Sequence, residues 1–151
     1  MDISSVYIKM CGNANDLQQL WTPTDFDVII DNSIVNDDER LEIADKGDLH
    51  AVDIDYASPE DRSYQDDYTY YKNQNVWLPR QDQFLELLEP DASKAYLIMG
   101  KVISQAFHYP PKDASMPGPD IFKTMEQLGL AYFMKEKFGK IWGGKNWVSA
   151  P

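Results

Sequence analysis

The chain has 151 residues, of which 43% are hydrophobic and 13% aromatic, and it carries a formal net charge of −11. That length suits one domain, the apolar content is enough to offset the entropy of ordering the backbone, and the charge repels phosphates, so wholesale disorder and direct nucleic-acid binding are both disfavoured. The lone Cys11 cannot form an intramolecular disulfide, the Cys and His residues lack zinc-site spacing, and no apolar run reaches the roughly 18 to 20 residues that cross a bilayer. The opening Met-Asp-Ile-Ser-Ser has neither the basic nor the apolar region of a secretion signal, so a reducing, cytoplasmic setting and no membrane partner are expected.

Residues 3–21 read as helical, with Val6, Tyr7 and Met10 on one face, a break at Gly12-Asn13, and Leu17, Leu20 and Trp21 as the buried positions of a second short turn. Pro23 ends this stretch. From Phe26 the period changes to two: Phe26, Val28 and Ile30 alternate with Asp27, Ile29 and Asp31, and further strands are expected at Ser33 to Val35, Arg40 to Ala44 and Leu49 to Ile54. With hairpin turns at Asn36-Asp37-Asp38 and Lys46-Gly47-Asp48, these make a small antiparallel sheet whose solvent face is lined with carboxylates. Residues 58–77 open on Ser58 as a helix cap and then become polar and tyrosine-rich, a loop with one strand.

Pro79 suits the first turn of a helix to about Glu89, with Phe84, Leu85, Leu87 and Leu88 as its apolar face and Pro90 as its stop. A second, well-buried helix is expected from about Ala92 to Phe107, in which Tyr96, Met99, Val102 or Ile103, and Ala106 recur at helical spacing and Leu97 and Ile98 widen the apolar arc. Four prolines between Tyr109 and Pro119 demand a non-helical connection. Asp120 then caps a third helix to about Phe138, with Ile121, Met125, Leu128 and Tyr132 facing inward, and Gly143-Gly144 serves as a two-residue turn between short aromatic strands over 141–148. The expected architecture is a single α+β domain: an acidic β-rich segment 25–67, a helical segment 79–139 and a C-terminal hairpin, with the sheet packed on three to five helices.

The charge is unevenly placed. Between Asp25 and Asp67 fifteen acidic residues face three basic ones, Arg40, Lys46 and Arg62, a local net charge of −12, while the rest of the chain sums to +1. Carboxylates on alternate strand positions repeat every 6 to 7 Å or so, near the spacing of successive phosphates, and such a face fits a cationic groove built for DNA or RNA.

The remaining chemistry-bearing residues have structural readings beside the functional ones. Cys11 next to Met10 suits a buried thiol better than a nucleophile, and His108 at a helix end suits a dipole contact. His50, Asp53 and Asp55 offer the beginnings of a divalent-metal set but lack the further ligands such sites require. Tyr64, Tyr68, Tyr70 and Tyr71 suit either a protein-binding surface or packing against Trp77. Lys135, Lys137, Lys140 and Lys145 near Phe138, Trp142 and Trp147 suit either a phosphate or base site or a solvated helix face. No nucleophile–base pair, nucleotide fingerprint or P-loop occurs, so no enzyme activity and no cofactor are expected.

Three segments, YIKMC at 7–11, WLPRQDQFLELL at 77–88 and LGLAYFMKEKFGKIWGGKNWV at 128–148, resemble a group of small proteins encoded by phages and prophages of Gram-positive bacteria. They cover 38 residues, about a quarter of the chain. The resemblance implies a bacterial host cell as the setting; it brings no established activity and no catalytic residue, and a counter-defence role of the anti-CRISPR kind is expected from the charge pattern. Setting and charge pattern together make the expected function a non-enzymatic inhibitor of a host nucleic-acid-binding protein, such as a CRISPR effector. The expected contact residues are Asp25, Asp27, Asp31, Asp37, Asp38, Glu39, Asp45, Asp48, Asp53, Asp55, Glu60, Asp61, Asp66 and Asp67. A nucleotide-signal sponge using the C-terminal lysines and aromatics, and a metal-dependent enzyme centred on Asp53 and Asp55, are the alternatives.

Overall fold

The computed structural model describes residues 2–24, 26–37, 40–41, 48–52, 72–89, 91, 94, 97–101, 104 and 122–150. The architecture is α+β, with helices and small antiparallel sheets, and the chain divides into two compact units. One comprises Ile3–Leu78, the other Met1–Asp2 with Pro79–Pro151.

In the first unit, helix α1 (Ser5–Gly12) starts where the Ser4 hydroxyl accepts the Tyr7 N–H at 3.2 Å. Helix α2 (Asn15–Leu20) follows the expected break at Gly12-Asn13. Tyr7, Ile8, Met10, Cys11, Leu17 and Trp21 are buried, whereas Val6 and Leu20, both expected to face inward, are exposed. A Cβ at Gly12 would overlap the Val35 Cγ1 methyl, so the bare backbone at the end of α1 is what allows this close approach.

Strand β1 (Val28–Asp31) is central in a three-stranded antiparallel sheet, between β2 (Leu49–Ala51) and β3 (Asn75–Trp77). Ile29 pairs with His50 on one side and Trp77 on the other. Ile29 and Ile30 point to opposite faces and are both buried, so the sheet is covered on both sides at its centre.

Three sequence expectations change here. Residues Asn32–Val35 form a short helix, α3, because Asp31 caps it: the Asp31 carboxylate accepts the Ser33 N–H at 2.7 Å. Arg40 and Leu41, the two described residues of the strand expected at 40–44, are helical, and the Asp37 carbonyl accepts the Leu41 N–H at 2.8 Å; Asp38, of the expected hairpin turn, lies outside the described residues. The expected alternation at 26–27 is inverted: Phe26 is 78% exposed with φ of +68°, and Asp27 is buried.

In the second unit, helix α4 (Gln81–Leu88) begins two residues after Pro79, which precedes the cap, Arg80, whose N–H donates to Gln83 Oε1 at 2.8 Å. Phe84 is fully buried and Leu85, Leu87 and Leu88 are half-buried. Residues 97–101 and 104 are helical, as expected within 92–107, but Leu97 is exposed and Ile98 and Met99 only half-buried; Tyr96, Val102, Ile103 and Ala106 lie outside the described residues.

Helix α5 (Met125–Phe138) is capped by Thr124, whose hydroxyl accepts the Gln127 N–H at 3.2 Å, and so starts later than the expected cap at Asp120. All eight residues from Gln127 to Met134 are buried, which marks a helix covered all round. It packs on α4, where Phe84 and Phe133 sit with ring centroids 6.0 Å apart. At the N-terminus of α5, Asp2 Oδ2 accepts from both Thr124 Oγ1 and Gln127 Nε2 at 2.7 Å, which satisfies a buried carboxylate beside positive backbone ends.

Gly139, with φ of +61°, closes α5 in the left-handed conformation. Strands β4 (Lys140–Trp142) and β5 (Trp147–Ser149) then pair as the expected hairpin. Trp142 pairs with Trp147, their rings 5.1 Å apart, so the connection comprises the four residues 143–146 and not Gly143-Gly144 alone; the Gly143 N–H donates to Asn146 O at 2.9 Å.

Candidate functional site

Four of the fourteen expected contact carboxylates lie among the described residues: Asp27, Asp31, Asp37 and Asp48. Asp25, Asp38, Glu39, Asp45, Asp53, Asp55, Glu60, Asp61, Asp66 and Asp67 lie outside them, as do the four tyrosines between Tyr64 and Tyr71.

Asp27 does not belong to a partner-facing set. It is 2% exposed, and its Oδ2 accepts the Trp21 indole N–H at 2.8 Å and the Thr24 N–H at 2.9 Å. A buried carboxylate needs such donors, and here they come from the turn that leads into β1. The strand pattern alone places this side chain opposite to where these donors hold it.

Asp31 and Asp37 are exposed and stand at the two ends of α3. The Ser33 hydroxyl and N–H, as hydrogen-bond donors, hold the Asp31 carboxyl below its ordinary value of 3.8, slight burial works against them, and Arg40 and His50 add charge attraction. Asp37 Oδ1 accepts the Arg40 N–H at 3.1 Å, and the Arg40 guanidinium reaches Ser33 Oγ at 3.2 Å. One of the three basic residues of the acidic segment is therefore placed among these carboxylates. Asp48 is half-buried, immediately before β2. Within the three strands themselves the one carboxylate is Asp31.

The other candidates fall differently. Cys11 is fully buried among the side chains of α1. His50 is exposed on β2, and among the described residues no group of three His, Cys, Asp or Glu side chains could hold a metal ion. His108 lies outside the described residues. At the C-terminus, Trp142 is buried and packed on Trp147, and Phe138 meets Phe133 edge-on at 5.8 Å, so these rings are occupied by core packing. Lys137 and Lys145 are exposed, and Lys135 and Lys140 half-buried.

A cleft of about 270 Å³, counted with the solvent at its mouth, opens beside α4 and α5. Phe84, Leu85, Leu88, Met99 and Met125 line it with Gln81 and Gly129. Among the described residues that line it, the one polar side chain is Gln81 and none is charged.

Sequence reading missed one residue that organises the sheet. Gln18 on α2 donates Nε2 to Cys11 O and Trp77 O, each at 3.1 Å, and accepts the Trp77 N–H on Oε1 at 2.9 Å. Its amide thereby substitutes for a neighbouring strand along the outer edge of β3. The only local signal is helical spacing from apolar residues, Ala14 four positions before and Trp21 three after, both of them buried.

Comparison with protein-family models, with curated proteins and with solved structures gives no match.

Proposed function

We propose that this protein is a non-enzymatic inhibitor, phage- or prophage-encoded, that presents its acidic segment to the cationic groove of a host nucleic-acid-handling protein such as a CRISPR effector. The observation that carries this reading is the density of charge: fifteen carboxylates against three cations between Asp25 and Asp67, in a chain otherwise close to neutral. Solubility alone asks for no such segregation. Of the described carboxylates in that segment, Asp31 and Asp37 are exposed while each accepts a nearby backbone N–H, Asp48 is half-buried and Asp27 is buried. The resemblance of residues 7–11, 77–88 and 128–148 to phage and prophage proteins supports the setting.

A negative surface of this kind accelerates encounter with a positive partner and makes binding salt-sensitive. Capture of DNA-binding proteins from bacterial lysate, with duplex DNA as competitor, tests it. Capture should fall steeply as salt is raised and as DNA is added. Charge reversal to lysine at Asp37, Asp38 and Glu39 together, or at Asp53 and Asp55 together, should weaken capture while circular dichroism is unchanged. Undiminished affinity in both variants removes the proposal.

A further inference from the structure

The two edges of the three-stranded sheet are treated differently. Leu78 N–H donates to Val28 O, and Val52 N–H donates to Asp27 O, both at 2.8 Å. Along β1 the backbone groups therefore alternate, those of Val28 and Ile30 turned to β3 and those of Asp27 and Ile29 turned to β2. His50, opposite Ile29, directs its N–H and C=O at β1. Leu49 and Ala51, one residue to either side, direct theirs away from the sheet. On the β3 edge the equivalent outward groups of Trp77 are closed by the Gln18 amide. On the β2 edge, among the described residues, no hydrogen bond reaches the outward groups of Leu49 and Ala51, and His50 and Ala51 are exposed.

An open strand edge is a template for another strand, and folds usually blunt it with a lysine, a proline or a bulge. Between Leu49 and Ala51 there is neither lysine nor proline, and the strand is three residues long. What it has is negative charge: Asp48 adjoins β2, Asp31 is exposed on the neighbouring strand, and the segment around them carries −12.

From this geometry we infer that β2 is a docking edge for an extended, lysine- or arginine-rich segment of a partner protein, which adds as a strand beside Leu49–Ala51. Main-chain bonds supply the affinity and the surrounding carboxylates select the cationic segment. A second copy of this chain is the poorer occupant, because each copy brings −11 to the same contact. The inference rests on the acidic-segment reading and deepens it by naming the form in which the cationic partner binds.

Two synthetic peptides separate the parts: one alternates lysine and valine, and the other has the same charge with proline in place of valine and so cannot form a ladder. Fluorescence anisotropy at about 50 mM salt, where surface charge is weakly screened, should show the first bound roughly tenfold more tightly. Ala51→Pro should erase that difference with melting unchanged, because the Ala51 N–H makes no bond to β1. If that variant melts early, Ala51→Lys decides, since it keeps the N–H but sets a cation beside a cationic strand and should weaken the first peptide several-fold. Equal affinity of wild type and both variants for the first peptide overturns the inference. Equal binding of the two peptides, lost on reversal of Asp53 and Asp55, overturns it and leaves the acidic-segment reading standing. Binding of neither peptide overturns both, and a wild-type dimer that Ala51→Pro splits, seen by light scattering, assigns the edge to a second copy instead.

Discussion

Gln18→Ala should be among the most damaging single truncations of a polar side chain in this protein. Three hydrogen bonds of 2.9 to 3.1 Å disappear; the Trp77 N–H and the Trp77 carbonyl lose their partner in a residue that is 5% exposed, while the Cys11 carbonyl keeps the Ala14 N–H. At about 1 kcal/mol net for each bond the loss is about 3 kcal/mol, and more if water cannot reach the orphaned groups. Against a typical total of roughly 5 to 15 kcal/mol, that is a large share. Urea denaturation followed by tryptophan fluorescence measures it, and amide exchange at Trp77 gives the local readout. Gln18→Glu sharpens the test, because one oxygen still accepts the Trp77 N–H while the other replaces Nε2 and faces two carbonyl oxygens. The introduced carboxyl is therefore pushed above its unfolded value of about 4.3. Its penalty is full above the raised folded value, shrinks as pH falls through it, and is gone below the unfolded one. The stability gap to wild type should narrow steadily from pH 7 to pH 4 or so, when the protonated group can donate. A loss under about 0.5 kcal/mol for Gln18→Ala, or a gap for Gln18→Glu that ignores pH, would refute the reasoning.

Asp27→Ala leaves the Trp21 indole N–H without its carboxylate and should cost about 2 to 3 kcal/mol by chemical denaturation; a neutral effect would mean the indole finds another acceptor. Gly12→Ala should destabilise by about 1 to 3 kcal/mol through overlap with Val35, and Val35→Ala in the same chain should recover part of that loss in a double-mutant cycle. Strict additivity of the two would argue against the contact. For Asp31, the depressed carboxyl contributes stability that is present above the unfolded value and lost as pH falls through the folded one. Carboxyl NMR titration should place its midpoint below 3.8, and Ser33→Ala should move it back up; a midpoint at or above 3.8 in the wild type is the contrary result.

What local sequence determined is the set of features written in nearest-neighbour chemistry. The break between α1 and α2 at Gly12-Asn13, the change of period at β1, the helix after Pro79, a helix ending at Phe138 and the closing hairpin were all legible, because glycine, proline and repeating apolar residues act on the backbone beside them. The charge of the acidic segment was equally legible, being a count.

Tertiary structure decided which side chains those elements turn inward. Asp27 is buried because Trp21 and Thr24 offer it donors, and Phe26 is outside because the backbone there turns left-handed; period-two alternation contains neither fact. Residues Asn32–Val35 have strand-like composition but follow a capping Asp31, and that hydrogen bond outweighs a weak propensity. Gln18 closes a strand edge 59 residues away, and Asp2 satisfies a helix start 125 residues away at Gln127. Hydrogen bonds over such separations depend on how the elements pack, so a buried polar group and its partner become recognisable only when the fold brings them within 3 Å or so.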